Sequence, residues 1–259
     1  FSAADGSGSG VTHRCVSLTG TPPTGPMDAC FQPIAFTSFP LPLGDGLKTL
    51  SVWFRDAANN VSATPATDGI TLDTLAPTIV VVGAGLGLAG GASSTNSLTP
   101  VFNHTANDAT SGLAQVCTGE LNPPTNCVPY TATPSVSLTA GDGGKTVFIR
   151  VIDGARNISA TPSDVITLDQ TPPTVSNLSI NGGATYTNNA SVSLTSTAMD
   201  AVQMQISTDG AITLQAPSAY GSPVNTTLPA NDGLRAVHIR VIDAAGNLSG
   251  NALDTIILD

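Results

Sequence analysis

The sequence predicts an all-β chain of three tandem two-sheet sandwiches of about 90 residues each, on three observations. The first is repetition: DGLKTLSVWFRDAANNVS from Asp45 returns as DGGKTVFIRVIDGARNIS from Asp142 and DGLRAVHIRVIDAAGNLS from Asp232, at intervals of 97 and 90 residues. Each copy leads to a short apolar run closing on Leu-Asp, at 70–73, 165–169 and 255–259. The second is alternation. After each Asp-Gly, apolar residues hold every other position (Leu50, Val52, Phe54; Val147, Ile149, Val151; Val237, Ile239, Val241), the period of a strand with one buried face. The third is composition: 26 glycines and 19 prolines in 259 residues suit many short strands joined by turns, and Thr, Ser and Val are weak helix formers.

Within a repeat, the outer face of the Asp-Gly strand changes freely between copies (Trp53, Arg150, Arg240), as a solvated face can. The next five residues, DAANN, DGARN or DAAGN, read as a turn: the leading Asp accepts backbone N–H groups, and Asn or Gly near the end tolerates positive φ. An exit strand then carries Ile70 and Leu72, Ile166 and Leu168, or Ile256 and Leu258 inward. Such a hairpin cannot bury its own apolar face, so it needs further strands. In the third copy these are SNLSI (176–180), ASVSLTSTA (190–198), VQMQIS (202–207) and VNTTL (224–228). The second copy offers VFNHTA (101–106), LAQVC (113–117) and VSLTA (136–140) in the same order.

The expected units are 1–76, 77–172 and 173–259. Phe1 aligns with Phe102, inside a strand of the second unit, so the first unit is expected to lack its first strand and the chain to be an excerpt of a longer array. The connections LDTLAPT (72–78) and LDQTPPT (168–174) are short and proline-stiffened, which predicts a semi-rigid rod. A net charge of −10 with eight basic residues and no basic cluster argues against nucleic acid and anionic membranes as partners. The longest apolar stretch, 79–90, is too short to span a bilayer and is broken by glycines, so no membrane insertion is expected.

Cys30 and Cys127 each lie 15 residues before their Asp-Gly, and Cys15 and Cys117 open the variable loop before them. Equivalent positions in repeated units suggest two local disulfides, Cys15–Cys30 and Cys117–Cys127, the alternative being four free buried thiols. Two disulfides would place the protein in an oxidising, extracytoplasmic compartment.

The pattern Asp142, Gly143, Lys145, Thr146, Ile149, Val151, Asp153, Asn157, Ser159, followed by ITLD (166–169) and TPPT (171–174), resembles the bacterial immunoglobulin-like repeats that occur in tandem in large surface and secreted proteins. The resemblance covers all three units and implies Ig-like or fibronectin-like sandwiches at the cell surface or outside it. For function it implies a stalk, spacer or fibre, adhesive or self-assembling, with neighbouring repeats, a cell-surface glycan or protein, or a second copy as partners. The alternative it leaves open is a carbohydrate- or protein-binding accessory module of a secreted enzyme. The cysteine-bearing inserts of the first two units, replaced by 207–217 in the third, are where individual character is expected.

No cofactor is required by this reading; calcium is the one candidate. Sandwich topology would bring Asp73 toward Asn107, Asp108, Asp153 and Asn157, and Asp169 toward Asp200, Asp243 and Asn247. Converging carboxylate and amide oxygens at a stiff joint suit a hard cation. The bland alternative is that these residues only cap backbone N–H groups at turns. Trp53 and Tyr130 are candidate ligand platforms, and Trp53 could equally cover its own sheet. Catalysis has little to build on: His13, His104 and His238 are not equivalent in the repeats, Glu120 is the only glutamate, and no nucleophile motif is present. Seven Asn-x-Ser/Thr triplets, among them those at Asn157 and Asn247, follow from Thr- and Ser-rich strands and from the recurrent turn.

Overall fold

The computed structural model describes residues 3–35, 38–83, 85–209 and 214–259. Phe1, on which the alignment with Phe102 was anchored, lies outside them, as does part of the 207–217 insert. Every regular element among the described residues is a strand, and no sheet is shared between the three repeats. No helix is long and apolar enough to cross a membrane.

The third unit shows the plan most fully. Its strands are β14 (Thr174–Ile180), β15 (Tyr186–Thr187), β16 (Ser191–Met199), β17 (Gln203–Ser207), β18 (Ser218–Ala219), β19 (Val224–Thr227), β20 (Gly233–Ile242) and β21 (Ala252–Leu258). One sheet runs β14-β16-β19 and the other β15-β21-β20-β17-β18, so the unit is a three-on-five Ig-like or fibronectin-like sandwich. Alternation decides what lies between the sheets. Ile180, Val192 and Leu194 come from one side and Met204, Val237, Ile239, Val241 and Ile256 from the other, each at most 3% exposed. Burying each such side chain contributes about 1.5–3 kcal/mol.

The second unit repeats this with shorter pieces: β5 (Thr78–Val80), β6 (Gly87–Leu88), β7 (Ser94–Thr95), β8 (Phe102–Asn103), β9 (Thr105–Asn107), β10 (Leu113–Gly119), β11 (Asn126–Pro129), β12 (Gly143–Asp153) and β13 (Ser163–Leu168). The larger sheet is β11-β10-β12-β13-β7, and the opposing layer is two small ladders, β5-β9 and β6-β8. VFNHTA is broken at His104, and VSLTA (136–140) forms no ladder strand. Val136 and Leu138 are nonetheless buried, their N–H groups donating to the carbonyls of Pro100 and Leu98 at 2.9 Å.

In units two and three a two-residue strand early in the unit pairs in parallel with its last strand, β7 with β13 and β15 with β21. Each contact is extended by main-chain bonds: Thr167 N to Ser93 O (3.0 Å) and Asp169 N to Thr95 O (2.9 Å), and Ile257 N to Thr185 O and Asp259 N to Thr187 O (both 3.0 Å). Segments this short carry no periodicity from which they could be read in the sequence.

The first unit differs. Its strands β1 (Val11–Ser17), β2 (Phe31–Pro33), β3 (Gly46–Asp56) and β4 (Ala66–Leu72) form one sheet, β2-β1-β3-β4, and no second sheet faces it among the described residues. Ile70, expected inward, is 53% exposed, whereas its equivalents Ile166 and Ile256 are 1% exposed under an opposing layer. The apolar cluster of this unit sits on the other face of β3: Trp53, Cys15 and Phe31, with Cys30 and Val61 against them. Registry explains it, since Cys15 lies opposite both Trp53 and Phe31. The Arg55 guanidinium covers the Phe31 ring at 5.0 Å.

Both disulfides are formed, Cys15–Cys30 and Cys117–Cys127, the second joining directly opposed residues of β10 and β11. Trp53 is 2% exposed beneath the first of them, so the expectation of an exposed aromatic platform is corrected: it covers its own sheet. Tyr130 is half-buried and meets the ring of His104 edge-on, centroids 5.7 Å apart. Burial raises the Tyr130 phenol above its ordinary range.

His104 is 2% exposed, and its Nε2 has no partner among the described residues. Burial pushes its pKa below the usual histidine value, only partly opposed by main-chain hydrogen bonding at Phe102 and Ala132. A depressed folded-state pKa means that stability present above the unfolded value of about 6.5 is lost as pH falls through the folded value. Unit two is therefore expected to melt at lower temperature as pH is taken from 7 to 4, and His104→Phe should flatten that part of the profile in calorimetry.

Candidate functional site

The recurrent turn after the Asp-Gly strand is built by its first residue. Asp153 Oδ1 accepts the Asn157 N–H and Oδ2 accepts the Asn157 side-chain amide, both at 2.8 Å. Asp243 does the same with Asn247 at 2.8 Å for both bonds, and Asp56 with Asn60 at 2.8 and 2.7 Å. Arg156 and Asn59 take positive φ within the first two turns, and glycine supplies it at Gly246. Hydrogen bonding from Asn60, foremost its side chain, holds the Asp56 carboxyl below its ordinary range against the opposing effect of burial.

This turn faces the end of the preceding unit. The Asn157 amide also donates to the main-chain carbonyl of Asp73 (3.1 Å), and Asn247 to that of Asp169 (2.8 Å). At the first joint Ser111 donates its N–H (3.1 Å) and its hydroxyl to Asp73 Oδ2, while its oxygen accepts the Ala155 N–H at 3.1 Å. Each amide is thus gripped by one unit and reaches into the other.

Carboxylates gather at the same place. Asp73, Asp108 and Asp153 each offer an oxygen within 4.8 Å of the others, and Asp169, Asp200 and Asp243 do likewise. Asp73, Asp153 and Asp243 are buried, Asp108 and Asp169 half-buried, and Asp200 exposed. Asp108 is oriented by the N–H groups of Thr110, Ser111 and Gly112 on its Oδ1, at 2.8–3.2 Å. Asp200 stands at positive φ, 60°. Asn107 ends β9, exposed, with its carbonyl accepting the Thr78 hydroxyl at 3.2 Å. The six aspartates, with Asn157 and Asn247 beside them, could hold a hard cation through carboxylate and carbonyl oxygens.

The Asp-Gly aspartate fixes the connection on its own side. Asp142 accepts the Gln170 N–H (2.8 Å) and the Thr171 hydroxyl (2.6 Å), and Asp45 accepts the N–H and hydroxyl of Thr74 at 3.0 and 2.9 Å. Hydrogen bonding from Thr171 first, then Gln170, with a smaller contribution from Lys145, keeps Asp142 below the usual carboxylate range. The two ends of the repeated segment, Asp-Gly and Leu-Asp, therefore recur together because one clamps the chain that leaves the other.

Sequence reasoning missed Ser111. Its signal was the Ser-Gly that precedes a strand in both Ser9-Gly10-Val11 and Ser111-Gly112-Leu113. The histidines stand apart, one in each repeat: His13 bonded to Thr12, His104 in the core, and His238 opposite Ser207.

What this geometry defines is an array of all-β units, the second and third of them two-layered sandwiches, with a recurrent, hydrogen-bonded, acid-rich joint. No protein-family model matches the sequence, and no curated protein matches it. Among solved structures, fibronectin(III)-like modules of Clostridium thermocellum CbhA match with 12% identity over 66% of this chain and 93% of theirs, at a TM-score of 0.45. The FN1-FN3 domains of chicken CNTN1 match with 11% identity over 82% of this chain and 77% of theirs, also at 0.45. A tetra-tandem repeat from the extending region of a large adhesion protein matches with 20% identity over 84% of this chain and 57% of its own, at 0.28.

Proposed function

We propose that this chain is a non-enzymatic structural segment, a stalk or spacer, of an extracellular bacterial surface protein, and that calcium stiffens its joints. The observation that carries this reading is that both joints are built alike. An asparagine locked by its own unit's aspartate hydrogen-bonds the last aspartate of the preceding unit, inside a group of three carboxylates. Residues repeated at this precision serve spacing and orientation. Two disulfides suit an oxidising exterior.

Three carboxylates this close repel one another by about 1 kcal/mol per pair in water and by more where they are buried. A divalent ion would turn that repulsion into attraction and join the two units through shared ligands. The accessory-module alternative has less support, because its best aromatic candidate, Trp53, is buried.

Melting the chain in millimolar calcium and again in chelator tests the cation. Calcium is expected to raise the transitions of units two and three by several degrees, since about 1 kcal/mol shifts a domain of this size by about 4–8 °C. Asp108→Asn and Asp200→Asn should each remove the increment at one joint. An unchanged melting profile would remove calcium from the mechanism, while small-angle scattering of the same samples reports whether the units hold a fixed orientation without it.

A further inference from the structure

The outward face of unit three departs from that of unit two along one row of residues. Tyr186, Ile257 and Leu234 stand directly opposite one another across β15, β21 and β20. Unit two carries Ser94, Thr167 and Gly144 in the same register. Alternation turns the row away from the core, because Ile256 and Leu258 point inward at 1% and 5% exposure. Tyr186 is 67% exposed, Leu234 68%, and Leu253, further along the same face of β21, 56%. The fold does not require apolar groups here, since unit two makes the same strand pairings without them. A following repeat leaves these positions open. Leu47 of unit one, the counterpart of Leu234, stays 70% exposed with unit two in place, and Thr167 stays exposed with unit three in place.

Charge and area narrow what this row binds. The outward positions around it on β20 and β21, Ala236, His238, Leu253 and Thr255, include no carboxylate, although the chain carries a net charge of −10. A basic partner would find its counter-charges elsewhere. Three side chains more than half exposed offer on the order of 400 Å². That is about half of the roughly 800 Å² that each partner gives to a stable protein–protein contact. A smaller, neutral ligand fits better, and the edge of the row supplies polar groups for one. Thr185, Asp254 and Thr255 line a hollow beside Leu234 and Ile257. Asp254 accepts the Ile180 N–H on one carboxylate oxygen and the Thr255 N–H on the other, both at 2.8 Å. Each oxygen keeps a further acceptor site for a hydroxyl group. We propose that this row binds a neutral polysaccharide. The C–H face of a sugar ring lies on Tyr186, Ile257 and Leu234, and its hydroxyls reach Asp254 and the two threonines. Unit three then attaches the stalk sideways to a glycan, a task separate from the spacing its joints maintain.

Native affinity electrophoresis of the full chain tests this, in gels that each contain one neutral polysaccharide: a β-glucan, a xylan, a galactomannan or a dextran. Chelator in every gel makes the result independent of the cation reading at the joints. The expected result is retardation by at least one of the four. Tyr186→Ser and Ile257→Thr place unit two's residues on the same strands and should each weaken retention about tenfold or more. Tyr186→Phe keeps the ring and should retain binding. An unchanged calorimetric transition of unit three in these variants shows that the ligand contact, and not the fold, has been lost. Retardation by none of the four polysaccharides, or equal retardation of wild type and Tyr186→Ser, would overturn the proposal. So would wild-type dimers in sedimentation velocity that Tyr186→Ser abolishes, because the row would then be a contact between two copies of the chain.

Discussion

Replacing Cys15 and Cys30 together by serine is expected to unfold unit one while the other two units remain folded. The described residues of units two and three bury eleven- and ten-residue apolar clusters, whereas the buried cluster of unit one has three members, Cys15, Trp53 and Phe31. Opening a 15-residue loop costs about 3 kcal/mol of chain-entropy stabilisation, a large share of the stability of so small a core. Trp53 also loses the sulfur surface packed over it. Because Trp53 is the only tryptophan in the chain, its fluorescence reports this unit alone. Its emission should shift to the red at lower denaturant in the double variant, with the far-ultraviolet signal of the other units unchanged. Cys117→Ser with Cys127→Ser provides the control, since that pair lies in another unit and should leave the Trp53 transition where it was.

Asp153→Ala and Asp243→Ala should be the next most damaging changes and should act on two levels at once. Each carboxylate is buried, at 1% and 3% exposure, and accepts the N–H and the side-chain amide of the turn asparagine. Asp243 also accepts the Ala245 N–H at 2.9 Å. Hydrogen bonds to a charged group contribute about 1.5–3 kcal/mol, and donors left without partners add their desolvation cost. A loss of about 3 kcal/mol in the affected unit is expected, read as a lower transition in calorimetry. The freed asparagine then no longer points at the preceding unit, so the joint should loosen even where the unit stays folded. Small-angle scattering should record this as a broader distribution of long distances. Asp56→Ala, whose asparagine meets no preceding unit among the described residues, should leave that distribution unchanged and so separates the joint effect from the turn effect.

Much of this architecture was legible in the residues. Strict alternation in Val147, Ile149 and Val151 placed the central strand and its buried face, and recurrence singled out Asp73, Asp153 and Asn157 before any geometry was known. Why the turn aspartate and the Leu-Asp aspartate recur together was not legible, because it depends on strands 80 residues apart in sequence meeting at one pole. On the inner face of unit one Val52 is buried as expected, but Ile70 was misjudged for a similar reason. Ile70 follows the same pattern as Ile166, but a pattern says which residues share a face and not whether another sheet covers it. Trp53 could not be assigned from β3 alone, because its cover comes from Phe31 and a disulfide across two neighbouring strands. Ser111 lacked a signal strong enough to stand out among the many serines of a chain this rich in them.

The parallel pairing of an early short strand with the last has a mechanical meaning for a chain that is tethered at both ends. Tension enters a unit near its first strands and leaves through its last, so in units two and three it pulls β7 against β13 and β15 against β21 lengthwise. The bonds of such a contact lie across the direction of pull and are loaded together, and all must break before either strand slides. In unit one β4 is held, among the described residues, only by its antiparallel neighbour β3, from which it can be peeled one bond at a time. Under load units two and three are therefore expected to resist until these paired ends shear.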